Sequence, residues 1–212
     1  MTRHRDPDAT RTAILDAAEA VFLEKGFGNT ATSEIAVRAG VTKSLIHHHF
    51  GSKDGLWREV KTRRFVDYGA KQIEMIRDAP ADPALLRDSF EFYFRFLESN
   101  PQLVRILAWL FLERDQDECA DLDRHLMAAG IAKLREGQEA GYLRKDVDPR
   151  FMLFVFIGLA QHWFQDCPHF LKSFDRTGLP EDLNTAYMQD AVKILLEGVL
   201  ARTESGSGAK RS

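Results

Sequence analysis

The chain has 212 residues, 44% of them hydrophobic, and carries 29 Lys and Arg against 32 Asp and Glu, a net charge of −3. That length and apolar content suit one medium domain, or a small domain joined to a larger one, and exclude a chain too polar to bury a core. Two cysteines, Cys119 and Cys167, exclude a disulfide framework, and the longest strongly apolar run, residues 151–160, is too short to cross a bilayer. The N-terminal MTRHRDPDATR has no apolar signal-peptide core, so a soluble, cytoplasmic protein is expected.

Residues 1–9 read as a disordered polar arm whose Arg3, His4 and Arg5 could reach a polyanion. From Thr10, TRTAILDAAEAVFLEKGF predicts an amphipathic helix with Ile14, Ala18, Val21 and Phe22 as its apolar stripe. Gly26 stops it, and Phe27 is placed to pack back on its end. Residues 30–50, TATSEIAVRAGVTKSLIHHHF, form two short helical segments joined by Ala39-Gly40-Val41. Ile35, Ala36 and Ala39 share one face of the first segment, and Thr30 is its expected N-cap. Gly40 suits a left-handed helix end, Thr42 suits the cap of the second segment, and Ile46 and Phe50 make that segment's inward pair.

Helix, glycine turn, helix is a helix-turn-helix layout, in which the second helix enters the DNA major groove. With Ile46 and Phe50 inward, Ser44 and His48 fall on the opposite side, flanked by Leu45 and His47, with Lys43 at the start. Hydroxyl, methyl, imidazole and ammonium groups would then meet base edges and phosphates. The plainer alternative, a solvated helix pair with no partner, stays open on these residues alone. GSKDGLWREV opens a fourth helix with Ser52 as cap, Leu56, Trp57 and Val60 inward, and Lys53 placed for a phosphate. Residues 1–64 hold eleven Lys and Arg against eight Asp and Glu, leaving eighteen against twenty-four beyond, so a mildly basic front precedes an acidic body.

A helix ending in Gly26-Phe27, then TATSEIAVRAGVTKSLIHHHF, then GSKDGLW, strongly resembles the DNA-binding domain of the TetR family of bacterial transcriptional regulators. The resemblance covers about residues 10–60. It implies an all-α homodimer, with a three-helix DNA-binding head at 10–58 and a helical ligand-binding and dimerisation bundle at 59–202. It further implies repression of palindromic operator DNA, relieved by a small lipophilic effector. Carried over by position, Thr42 and Lys43 match contacts at the recognition-helix start, Ser44 and Leu45 base-facing positions, and Lys53 a phosphate-binding lysine. His47 stands where a tyrosine usually touches phosphate, His48 and His49 where a histidine or aromatic residue is common, and Ser33 where an arginine often reaches DNA. Thr30 and Thr32 complete the expected DNA-facing set.

Beyond Val60 helices are expected to about Arg77, from Pro83 with Asp82 as cap, from Pro101, from about Cys119 to Glu139, from Asp148 to about Gln165, and from about Leu183 to Arg202. PQLVRILAWLFLE is apolar nearly all round and so predicts a buried helix, while ERDQDE reads as a solvated link or helix start. The last two helices carry more apolar width than one small domain needs, which suggests a four-helix dimer interface; Phe151, Phe154, Val155, Tyr187, Ala191, Leu195 and Val199 are its candidates. Monomer core is the alternative. Phe90, Phe94, Trp109, Phe156 and Trp163, with His125, are candidate pocket residues, against the simpler reading of packed core. Residues 203–212 read as a disordered tail.

His47-His48-His49 does not predict a metal site, because consecutive helical side chains diverge by about 100° and zinc ligands on helices favour i, i+4 spacing. No cofactor is expected. No nucleophile elbow, P-loop, dinucleotide fingerprint or HExxH occurs, so no enzyme is predicted. Two other readings stay open: a DNA-binding architectural protein of this fold without an effector, and a helical hydrolase using His125 or His162.

Overall fold

The computed structural model describes residues 6–112, 120–173, 175, 177 and 179–200. The helices among these residues are α1 (Pro7–Lys25), α2 (Thr32–Ala39), α3 (Lys43–Phe50), α4 (Lys53–Asp78), α5 (Pro83–Ser99), α6 (Pro101–Leu112), α7 (Ala120–Glu139), α8 (Pro149–Phe170) and α9 (Leu183–Val199). An isolated antiparallel bridge pairs Leu143 with Leu200, and no strand is present among the described residues. Arm residues 1–5, the acidic stretch at 113–119 with Cys119, and the tail at 203–212 lie outside them.

The chain forms two compact units. One comprises Met1–Ala70 with Ser99–Arg124, the other Lys71–Glu98 with His125–Ser212. This division differs from a single cut near residue 58, because α6 returns to the first unit. Ile106 and Leu110 join the head core, Arg105 Nη2 donates to the Leu23 carbonyl at 2.8 Å, and Trp109 Nε1 does so at 3.3 Å. Those donors satisfy a carbonyl that the end of α1 leaves without a helical partner.

Helix α1 begins at Pro7 and not at Thr10, so part of the expected arm is helix. Asp6 caps it by accepting from the Asp8 amide at 3.0 Å, and proline suits a first turn whose amides need no helical acceptor. Its inward side chains Ile14, Ala18, Val21 and Phe22 are fully buried with Ile35, Ile46, Leu56 and Val60. Phe27 does pack back: its ring lies 5.7 Å from Phe22 and stacks 6.0 Å from Trp57. Among the predicted caps, Ser52 and Asp82 serve α4 and α5, accepting from Gly55 N at 2.9 Å and Leu85 N at 3.0 Å.

Helix α6 departs from its prediction. Only Leu103 and Ile106 are fully buried on it, and Phe111 is 82% exposed. A run that is apolar all round carries no periodicity from which to read an inward face.

In the second unit, α8 packs on α9 and the aromatic residues interlock. Phe90 meets Phe156 edge-on at 5.3 Å, Phe94 lies 4.7 Å from Phe164, and Trp163 stacks on Tyr187 at 4.1 Å. A polar network closes one side. Arg95 pairs with Glu98 at 2.7 Å, Asn184 Nδ2 donates to Glu98 at 2.8 Å, and Trp163 Nε1 donates to Asn184 Oδ1 at 2.9 Å. The hydrogen bond from Arg95 holds the Glu98 carboxyl below its ordinary range.

Gly55, in the first turn of α4, faces the end of α3 so closely that a Cβ there would sit 2.2 Å from the Phe50 carbonyl oxygen. Backbone cannot yield as a flexible side chain does. Gly55→Ala is therefore expected to destabilise the head by about 3 kcal/mol, the upper end of ordinary overpacking. Urea titration should show a lowered midpoint at constant slope; an unchanged midpoint would contradict the contact.

Candidate nucleic-acid interface

The α2–α3 turn is built by Gly40, which adopts φ 64° and ψ 38° and donates to the Val37 carbonyl at 3.1 Å. A side chain would be strained there, so glycine sets the angle between the two helices. Val41 N reaches the Ala36 carbonyl at 3.0 Å, and the half-buried Val41 packs against the head core. Ile46 and Phe50 are buried, which fixes the rotation of α3.

That rotation leaves Thr42, Lys43, Ser44, His47 and His48 exposed, with Leu45 half-buried. Thr42 occupies the cap position without capping: its Oγ1 lies 2.9 Å from Ser44 Oγ instead. His47 Nδ1 is 3.0 Å from the Gly51 carbonyl oxygen, so its ring is held over the end of α3 with one nitrogen engaged. The rings of His48 and His49 stand edge to face at 5.4 Å, and the His49 ring lies 6.1 Å from that of Phe50. Lys53, at the start of α4, lies over the Phe27 ring at 4.3 Å with its ammonium 3.5 Å from the Gly28 carbonyl. This cation is half-buried and pre-positioned beside α3.

Thr30 is a correction. It is buried, its hydroxyl donates to the Gly26 carbonyl at 2.6 Å, and Ala31 occupies the α2 cap position instead. Its side chain locks the loop after α1 and is unavailable to a ligand. Thr32 is half-buried and Ser33 exposed on α2. Val37 was not singled out from the sequence, yet it is 82% exposed one turn beyond Ser33 on the same helix. The signal was there: Ile35 and Ala36 face inward, so Val37 must turn away.

The candidate interface and pocket residues of the second unit sort differently from their prediction. Phe151, Phe154 and Val155 are exposed on α8, Phe154 at 76%. Ala191, Leu195 and Val199 are buried, so they face inward on α9, whose outward apolar residue is Ile194. Tyr187 is engaged inside, stacked on Trp163 with its hydroxyl donating to the Leu159 carbonyl at 2.8 Å, and burial pushes its phenol above the usual range. Phe90, Phe94, Phe156 and Trp163 belong to one aromatic cluster. Trp109 does not, being hydrogen-bonded to α1 in the other unit, and His125 is exposed on α7. No described helix is long and apolar enough to cross a membrane.

A buried three-helix scaffold presenting a short polar helix beside a pre-positioned lysine is a helix-turn-helix DNA-binding head. The family model for bacterial regulatory proteins of the tetR family matches residues 14–60, and the model for the tetracyclin repressor-like C-terminal domain matches residues 91–192. The chain belongs to the TetR family of DNA-binding transcriptional regulators. It is 27% identical over 192 residues to the HTH-type transcriptional repressor SCO4008 of Streptomyces coelicolor, covering 89% of this chain and 94% of that one. The ketosteroid transcriptional regulator KstR2 of Mycobacterium tuberculosis superposes with a TM-score of 0.63 at 24% identity, covering 91% of this chain and 95% of that one. FadR of Bacillus subtilis, in complex with stearoyl-CoA, superposes with a TM-score of 0.67 at 20% identity, covering 88% and 98%.

On this geometry, Lys53→Ala should weaken binding to every duplex alike and lower the slope of log affinity against log salt by about one. Ser44 or Leu45 substitutions should instead change which base pairs are preferred. Titrations of a panel of duplexes across salt concentrations separate the two; a sequence-selective loss in Lys53→Ala would contradict its assignment to phosphate.

Proposed function

We propose that this chain is a dimeric repressor of a palindromic operator, released by a small lipophilic effector. The observation that carries the reading is the exposed edge of α3, made by Lys43, Ser44, His47 and His48, seated on a buried scaffold and flanked by Lys53. DNA-contacting groups are then Thr42, Lys43, Ser44, Leu45, His47, His48 and Lys53, with Thr32 and Ser33 from α2. Val37 adds an apolar surface suited to a thymine methyl or sugar.

Dimerisation runs through the outward face of α8. Phe151, Phe154 and Val155, spaced three and four apart, make an exposed apolar stripe of the kind that marks a protein contact. In such a dimer two recognition helices meet successive major grooves about 34 Å apart. The name of SCO4008 supports repression as the sign of regulation.

The effector reading is supported by Gln72, on the part of α4 within the second unit. Its side chain is buried, and Oε1 has no hydrogen-bond partner among the described residues. Apolar ligand sites place a few polar groups in this way. One observation favours the effector-free alternative: Phe90 and Phe94 are fully buried in ring-to-ring contact, as in a filled core. The unsatisfied acceptor weighs against it, since such a group costs about 1–3 kcal/mol.

Phe154→Glu should give a monomer by analytical ultracentrifugation and lose palindrome binding; a variant that remains dimeric would contradict the α8 interface. Gln72→Leu should raise the melting temperature by roughly 2–4 °C for each kcal/mol relieved. In a thermal-shift screen of lipophilic compounds, any that stabilises the wild type should stabilise Gln72→Leu less. Bound effector should weaken operator affinity about 5–150-fold, and operator should weaken effector affinity by the same factor. Equal effector affinities with and without operator would contradict the switch.

A further inference from the structure

Glu19 is a carboxylate at 5% exposure on α1, one turn beyond the buried Leu15 of the head core. Two consecutive residues of α4 converge on it. Arg63 donates through Nη2 to Oε2, and Arg64 donates to Oε1 through Nη2 and, at 2.9 Å, through Nε. The second amine of Arg63 reaches Asp16 Oδ1 at 2.7 Å, nearly one turn earlier on α1. Burial opposes the charge of Arg63, but the hydrogen bonds it donates to Glu19 and Asp16 outweigh that and hold the guanidinium above its ordinary pKa.

The geometry of this cluster is angular. Neighbouring residues on a helix point about 100° apart. When both grip one carboxylate, that carboxylate lies over the line between them. Turning α4 about its axis in either sense withdraws one fork. The surrounding apolar contacts of Leu56, Trp57 and Val60 are non-directional and do not define that rotation so sharply. A buried carboxylate is also a costly way to join two helices, since an apolar pair of similar volume commonly stabilises as well. Its use here points to a demand on orientation. Helix α4 begins two residues after α3 and runs unbroken to Asp78, with residues 53–70 in the first unit and 71–78 in the second.

We propose that Glu19, gripped by Arg63 and Arg64, is the positioning residue that fixes the rotation of α4 against the head and so sets the pose in which the two α3 helices of a dimer meet a palindrome. This rests on the dimeric DNA-binding reading above. The clamp acts on the register of two heads and leaves each head's own contact with a half-site untouched. Linked binding modules gain affinity only when geometry lets both engage.

The test uses the full-length protein and a palindromic duplex selected from a random library with the wild type. Affinities are measured for that palindrome, for a single half-site, and for palindromes lengthened at the centre by one or two base pairs. Glu19→Gln, which keeps the side chain's shape, should leave half-site affinity within about twofold. It should lower palindrome affinity by about 10–100-fold and flatten the preference among spacings. Circular dichroism reports whether the head remains helical. Arg64→Met leaves Arg63 on Glu19, is read in the same way if Glu19→Gln does not fold, and should show the same pattern more weakly. Equal losses on half-site and palindrome would overturn the proposal, because they would show that the cluster only stabilises the head. A wild type with no preference for palindrome over half-site would overturn the dimeric reading, and the clamp's role with it.

Discussion

A helix of eight residues does not hold its shape alone in water, so everything α3 presents to a partner depends on how Ile46 and Phe50 are gripped. Both are buried in a core made by Phe22, Ile35, Leu56 and Trp57, from three other helices. Nothing in α3 itself prevents it from fraying; its stability is tertiary. Two close backbone events fix where it lies. Gly40 turns the chain into it through a left-handed residue, and Gly55 lets α4 start against its last carbonyl with no side chain between them. The hydrophilic residues on its outer edge are free to vary in chemistry because none of them carries the packing.

The same economy explains which parts were legible from sequence. Periodicity marks the inward faces of α1, α2 and α3 because each helix has an exposed side and distinctive turn residues. The start of α1 was missed because Asp6-Pro7 reads equally as coil and as cap plus first turn; only the hydrogen bond to Asp8 N decides it. Thr30 was misplaced for a related reason. A threonine before a helix can cap it or can bond backward, and here the carbonyl of Gly26 accepts the hydrogen bond from its hydroxyl. For α6 and α9 the difficulty was excess hydrophobicity. The apolar width of α9 leaves its inward face undefined in the sequence: Met188 and Val192 are buried together with Ala191, Leu195 and Val199, and Ile194 turns outward. Glu19 was invisible as a site because its partners lie more than forty residues away on another helix.

The two compact units divide the work by chemistry. The first spends its polar groups at a surface and at one buried ion cluster. The second spends them on a peripheral network around Glu98 and leaves a carboxamide oxygen inside with no partner among the described residues. An unpaired acceptor and a tightly interlocked set of rings pull in opposite functional directions, one toward receiving a ligand and one toward a filled core. The proposed function resolves them by giving Gln72 a partner that arrives with the effector. Helix α4 contributes residues to both units, Arg63 and Arg64 to the first and Gln72 to the second.

In the proposed complex, DNA is held by the outer edge of α3 and the first residue of α4. Reductive methylation of lysines, with and without the selected duplex, reads this side chain by side chain. Lys43 and Lys53 should be protected by duplex, while the exposed Lys71, Lys145 and Lys193 should react at the same rate in both samples. Protection of Lys145 or Lys193 with Lys43 left reactive would place the DNA on the second unit and contradict the account.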